Sequence, residues 1–295
     1  MRPRGYYSIR TGRHPEGIHY GLSILQRCMR SLYLEYEQKS WFHESFGYDC
    51  IDAYNGFVPG TLGSDIGASL FLALRKDLWP IEDNFMQYSE DDCFDMLEFL
   101  YDHVSRPVDG YNHTYNNCGW HYSDFDRAQG QGEFRERVNA ILQDYGSGWQ
   151  LSTEGEIVAL ADEGMQPLVE AEMAHVDPDN VEQRVQSAIR KFRARGSTDE
   201  DRRDAVRDLA DVLEYLRIRA EQHFLTKKDS GDLFRIANQF AIRHHNDRQK
   251  GDYPISIWYR WIFYVYLATI HACVRAIKEG ESPPSFSRDS GESKT

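Results

Sequence analysis

Apolar side chains recur at spacings of three and four along most of this chain, and that period predicts helices. Leu22, Leu25, Cys28, Met29, Leu32 and Tyr36 mark one amphipathic helix over about 18–39. A second begins near Ser64 and is carried by Ile66, Leu70, Ala73 and Leu74, after the Gly/Pro-broken GFVPGTLGSDIG. Ser89 opens a third, SEDDCFDMLEFLYDHV, where a hydroxyl cap and three acidic residues suit the positive helix end and Phe94, Leu97 and Tyr101 face inward. A fourth spans about 131–145, with Phe134, Val138, Ile141, Leu142 and Tyr145 on one face. The intervening VDGYNHTYNNCGWHYSDFD, rich in Tyr, Asn and Gly, reads as a long surface connection. WFHESFGYDC is compatible with helix or strand.

The clear strand signal is GWQLSTEGEIVAL, two β-capable runs around Thr153, Glu154 and Gly155 that predict a short hairpin. From Pro178 the pattern is a helix array. VEQRVQSAIRKFRAR ends at Gly196, and a long helix follows, capped by Ser197 or Thr198, with Val206, Leu209, Ala210, Leu213 and Leu216 as its stripe. KKDSGDLFRIANQFAIRHH is a third, and IWYRWIFYVYLATIHACVRAI a fourth, capped by Ser256. The expected fold is therefore mainly α: an acidic helical region at 1–125, a helix plus β-hairpin element at 126–165, and a four- to five-helix bundle at 178–280. Residues 281–295 form a disordered tail by composition.

Composition changes this picture in two ways. Aromatics make up 13% of the 295 residues, which excludes a largely disordered chain. The net charge of −13 is unevenly placed: residues 1–180 carry 13 basic and 30 acidic side chains, whereas 181–280 carry 19 and 14. The whole chain is a poor polyanion binder by charge, but its last third is mildly basic. The longest apolar run, Trp261–Ile270, is about half the ~20 residues that a membrane span needs, so a core helix is expected and no membrane partner. The N-terminus lacks an apolar signal region. Five cysteines at wide, irregular spacing fit free thiols and a cytoplasmic location rather than a disulfide framework.

The residues with the clearest chemical potential are Asn238, Arg243, His244 and His245, at a predicted helix C-terminus. Arginine binds phosphate bidentately and histidine exchanges a proton near neutral pH, so the trio Arg243, His244 and His245 suits a phosphodiester. The same cations also simply cap a helix and complement its dipole. Metal binding by His244 and His245 with His223, Asp247 or His271 is disfavoured, because adjacent helical residues project about 100° apart. Without Cys-x-x-Cys, His-x-x-x-His or His-Glu-x-x-His, no metal and no cofactor are expected. Gly56–Gly63 lacks the Gly-Lys-Ser/Thr of a phosphate loop and reads as a turn. Tyr111, His113, Tyr115, Trp120 and His121 could line a small-ligand pocket.

DLFRIANQFAIRHHNDRQ and the aromatic IWYRWIFYVYLATIHA resemble the C-terminal helical domain of bacterial abortive-infection (AbiJ-like) proteins, which is HEPN-like. FRERVNAILQDYGSGWQLSTEGEIV is similar to the helix-then-hairpin element beside such domains. The resemblance covers about the last hundred residues plus that element, and the first 125 residues match no family. It implies an all-helical bundle, homodimerisation, a role in antiviral defence with a partner protein, and, in catalytic members, metal-independent RNA cleavage. Those members carry an Arg followed by a His after four to six intervening residues, the Arg holding the phosphate and the His assisting 2′-hydroxyl attack. This chain departs from that order around Arg243, and its best helical match is Arg217–His223, with Arg13–His19 and Arg106–His113 as further matches. Two functions follow as expectations: a defence-associated ribonuclease acting on RNA, or a non-catalytic dimerising interaction or sensor module.

Overall fold

The computed structural model describes residues 6–11, 19–223 and 254–281. The chain divides into two compact units, Met1–Leu160 and Ala161–Thr295. The description is mainly helical, with three separate two-stranded antiparallel sheets.

In the first unit, helix α1 (Leu22–Gln38) buries Leu25, Met29, Leu32, Tyr33 and Tyr36 on one side. Trp41 and Phe42 follow it into the core. The ambiguous WFHESFGYDC resolves into a one-turn helix, His43–Phe46, and a strand, β1 (Tyr48–Asp49). Gly47, at φ 83°, makes the reversal: a Cβ there would lie 2.2 Å from the Val58 carbonyl oxygen. β1 pairs with β2 (Phe57–Val58). Helix α2 (Ile66–Leu74) is capped by the Asp65 carboxylate, which accepts from the Ala68 amide at 2.9 Å.

Helix α3 (Glu90–His103) starts as the sequence predicts, with a reciprocal box between Ser89 and Asp92. Lys76 pairs with Asp92 and Asp95 at 2.8 and 2.7 Å, so the acidic start of this helix is a solvated ion-pair cluster. Cys93, Met96, Leu97 and Leu100 bury its inner face. The stretch expected to be a surface connection is instead a long hairpin of β3 (Arg106–His113) and β4 (Gly119–Asp126). Its polar, Gly- and Asn-rich composition concealed the strands, because they gain little from core burial: the unit's core contains no residue from 106–126. Helix α4 (Arg127–Leu142) is capped by Asp126 and buries Phe134, Val138 and Leu142. The predicted short hairpin follows as β5 (Trp149–Leu151) and β6 (Ile157–Ala159). Leu151 and Ile157 join the core of α1, α3 and α4, so the helix–hairpin element belongs to the first unit.

The second unit holds three long helices among the described residues: α5 (Gln183–Arg193), α6 (Asp199–His223) and α7 (Ile255–Glu281). Thr198 rather than Ser197 caps α6, in a second reciprocal box with Asp201. All five predicted stripe residues, Val206, Leu209, Ala210, Leu213 and Leu216, are buried. They pack with Phe192 of α5 and Phe263, Tyr266 and Leu267 of α7. The Phe192 and Phe263 rings stack at 3.9 Å. Ser256 does not cap α7, which already begins at Ile255 and turns against the Pro254 carbonyl. A fixed φ at Pro254 suits that entry better than a hydroxyl at the second helical residue. No described helix is long and apolar enough to cross a membrane. The predicted helix over KKDSGDLFRIANQFAIRHH and the tail beyond 281 lie outside the described residues.

Two substitutions test this account. Ser89→Ala removes a cap and should lower stability by about 1 kcal/mol in urea unfolding. Gly110→Ala should cost roughly 1–3 kcal/mol, because a Cβ at Gly110 would lie 2.3 Å from the His121 carbonyl oxygen and force β3 and β4 apart.

Candidate metal centre

Four soft donors converge where the β3–β4 hairpin meets the segment after β1. Cys50, His113, Cys118 and His121 place one donor atom each within 4.8 Å of all the others. Cys50 Sγ lies 3.9 Å from His113 Nδ1, and Cys118 Sγ lies 3.2 Å from His121 Nε2. Two of the four are buried, Cys50 at 6% exposure and His121 at 4%, and His113 and Cys118 are half-buried.

Local structure sets each position. Cys50 follows β1 in a turn closed by its own amide on Gly56 and by Ala53 on its carbonyl. His113 ends β3. Across the hairpin, Tyr111 pairs with His121 and His113 with Gly119, so Tyr111, His113 and His121 share one face. Between the strands, Tyr115–Asn117 form one tight turn. Asn116 at φ 51° and Gly119 at φ 99° bend the chain so that Cys118 folds back beside His121.

Outward-facing partners fix the two imidazoles. His113 Nε2 lies 3.1 Å from the Asp52 carboxylate. His121 Nδ1 lies 3.1 Å from the Tyr111 hydroxyl. The Tyr48 ring packs against His121 at 4.7 Å, and His43 stacks on Tyr48 from behind. Desolvation raises the Cys118 thiol pKa and neighbouring Cys50 and Asp52 raise it further, while a backbone hydrogen bond from Ile51 opposes them. Burial lowers His121, and nearby His113 lowers it again. The crowding therefore favours the neutral Cys118 thiol and the neutral His121 imidazole in the absence of a cation. A bound dication would reverse that preference and draw out thiolates.

The donor set explains why the expected pocket does not assemble. His113 and His121 turn inward, and Trp120 lies on the opposite face, stacked on Tyr122 at 5.9 Å. Tyr111, Tyr115 and Trp120 are 61%, 64% and 51% exposed. Sequence spacing missed the cluster because its fourth donor, Cys50, lies more than sixty residues before His113, Cys118 and His121. The signal available was the short run His113, Cys118 and His121 in a turn-rich stretch.

The residues favoured from sequence fall elsewhere. Arg243, His244, His245 and Asn238 lie outside the described residues, as do Arg13 and Asp247. Arg217 is on α6 and pairs with Glu221 and Glu214 at 3.0 and 3.5 Å, which commits its guanidinium to carboxylates. His223 ends the same helix. Arg106 pairs with Glu133, while His113 belongs to the Cys/His cluster, so that match does not meet at one site.

Comparison with protein-family models, curated proteins and solved structures finds no match for this chain.

Two partly buried histidines, His43 and His103, predict an acid-sensitive first unit. Burial pushes His43 down to about 4, aided by the His121 charge, from an ordinary value of 6.5. Burial also lowers His103 in the same unit. Below pH 6.5 the unfolded chain takes up protons that folded His43 refuses. Stability is thus complete above that pH and declines as the pH falls toward about 4. Urea midpoints measured across this range should fall, and His43→Gln should reduce the slope.

Proposed function

We propose that this protein is a non-catalytic interaction or sensor module of a bacterial antiviral defence system, acting in the cytoplasm and dimerising through a HEPN-like C-terminal bundle. The observation that carries the binding role is the set of exposed aromatic side chains on the β3–β4 hairpin and its turn. The hairpin displays Tyr111, Tyr115 and Trp120 to solvent while its histidines are locked inward. Exposed Tyr and Trp on a held backbone bind partners at low entropic cost. Asp109, Asp124 and Asp126 share the hairpin, against Arg106 alone, so the surface is acidic. That charge favours a protein partner with Lys or Arg beside an apolar patch and disfavours a nucleic acid. The defence context rests on the resemblance of the C-terminal helices, and RNA cleavage at Arg243 and His245 is the rival reading.

Phage challenge of cells expressing the full chain separates the two. Tyr115→Ala/Trp120→Ala should abolish protection with an unchanged circular dichroism spectrum. Arg243→Ala/His245→Ala should retain protection, and purified protein should leave RNA intact. Loss of protection confined to the Arg243/His245 variant, with RNA degraded by the unmodified chain, establishes the ribonuclease instead.

A further inference from the structure

The hairpin poses a physical problem. Its strands run for eight residues each, yet none of its side chains enters the apolar core of the unit. An isolated two-stranded hairpin is marginal at best in water. His121 is the one hairpin residue that is buried among those described, and it is polar. Its neighbours are two thiols, another imidazole and the Tyr48 and Tyr111 rings, outside the apolar core of the unit. Something other than hydrophobic burial holds this element against the segment after β1.

We propose that Cys50, His113, Cys118 and His121 are the four ligands of a structural zinc site that pins the hairpin to the first unit. The assignment stands on the donor geometry and is independent of the defence reading. Tetrahedral zinc with sulfur at about 2.3 Å and nitrogen at about 2.0–2.1 Å places its donors roughly 3.3–3.8 Å apart. The cluster is already close to that spacing, at 3.9 Å between Cys50 Sγ and His113 Nδ1 and 3.2 Å between Cys118 Sγ and His121 Nε2. Two thiolates and two imidazoles form a soft set that selects zinc over magnesium or calcium, which require oxygen ligands. Four protein donors close the tetrahedron and leave no coordination position for substrate, so the role is structural.

The surrounding contacts are those a zinc site needs. His113 would ligate through Nδ1, and its Nε2–H donates to Asp52. His121 would ligate through Nε2, and its Nδ1–H donates to the Tyr111 hydroxyl. Each imidazole thus has its outer nitrogen engaged, which fixes tautomer and ring angle and strengthens the donor. Asp52 and Tyr111 are therefore positioning residues, acting through the two histidines. A Cys50–Cys118 disulfide accounts for the thiols, but it leaves two inward imidazoles and their outer partners without a role. The cross-link joins Cys50 to hairpin ligands more than sixty residues away, so binding would contribute directly to the folding free energy of this unit.

Metal analysis of the full chain, purified without chelator, should return one zinc per chain. Replacement by cobalt should give the intense visible bands of a tetrahedral ion with thiolate-to-cobalt charge transfer. Cys118→Ser and His121→Ala should lose the ion. His121→Cys should keep one cobalt with stronger charge transfer from a third thiolate, which guards against variants that simply fail to fold. Asp52→Asn and Tyr111→Phe should each weaken zinc binding by roughly 10–100-fold, read by competition with a chromophoric chelator. Chain purified without stoichiometric zinc and showing only an octahedral cobalt spectrum overturns the proposal. So does a Cys50–Cys118 disulfide found by mass spectrometry in protein prepared under reducing conditions, or a His121→Cys spectrum identical to that of the unmodified chain.

Discussion

The first unit depends on burial of the Phe42 ring. It stacks on Tyr33 and Phe46 and meets Phe134 edge-on, which joins α1, the turn after it and α4 at one point. Aromatic pairs of this kind add about 0.5–1.5 kcal/mol each beyond area burial. Their geometry also has a directional consequence. With Phe42 and Phe46 both inward, the intervening His43 and Glu44 are carried to the unit's side, and Gly47 can reverse the chain only through a conformation that tolerates no side chain. The strand that follows delivers Cys50 to the hairpin.

Core and hairpin are stabilised by different physics. Helices α1, α3 and α4 exclude water with large apolar side chains. The hairpin excludes it only at a point, where two thiols and two imidazoles converge and two outer partners hold the rings. This division frees the hairpin's remaining side chains from packing duty. Tyr115 and Trp120 can face solvent because the element does not need their burial to stay in place, whereas Tyr111 holds His121 through its hydroxyl. The proposed recognition surface and the proposed metal cross-link are thus two consequences of one arrangement, although each is tested separately.

The second unit is simpler. Long helices with regular stripes pack through apolar faces, and the stacked Phe192 and Phe263 rings fix how α5 meets α7. Charged residues on the outer faces pair within one turn, as Arg217 does with Glu214 and Glu221. Such exposed pairs contribute little to stability. The two carboxylates beside Arg217 offset its positive charge on that face.

The sequence by itself determined what depends on local chemistry. Periodicity placed the described long helices, Ser89 set one helix start and the Ser197–Thr198 pair bracketed another, and Thr153–Gly155 marked the short hairpin. Each of these signals lies within one or two turns of chain, where spacing and capping act directly. Ser256 misled because the neighbouring Pro254 fixes the start of the last helix instead. The β3–β4 hairpin was not legible, since its strands lack the alternating apolar side chains that mark a half-buried strand. Its Cys/His cluster was hidden for a related reason: the four donors span residues 50 to 121, and no spacing rule joins them. Only the tertiary structure decided that meeting, because it required the reversal at Gly47 and the strand pairing of Tyr111 with His121 to bring distant side chains within bonding distance of one another.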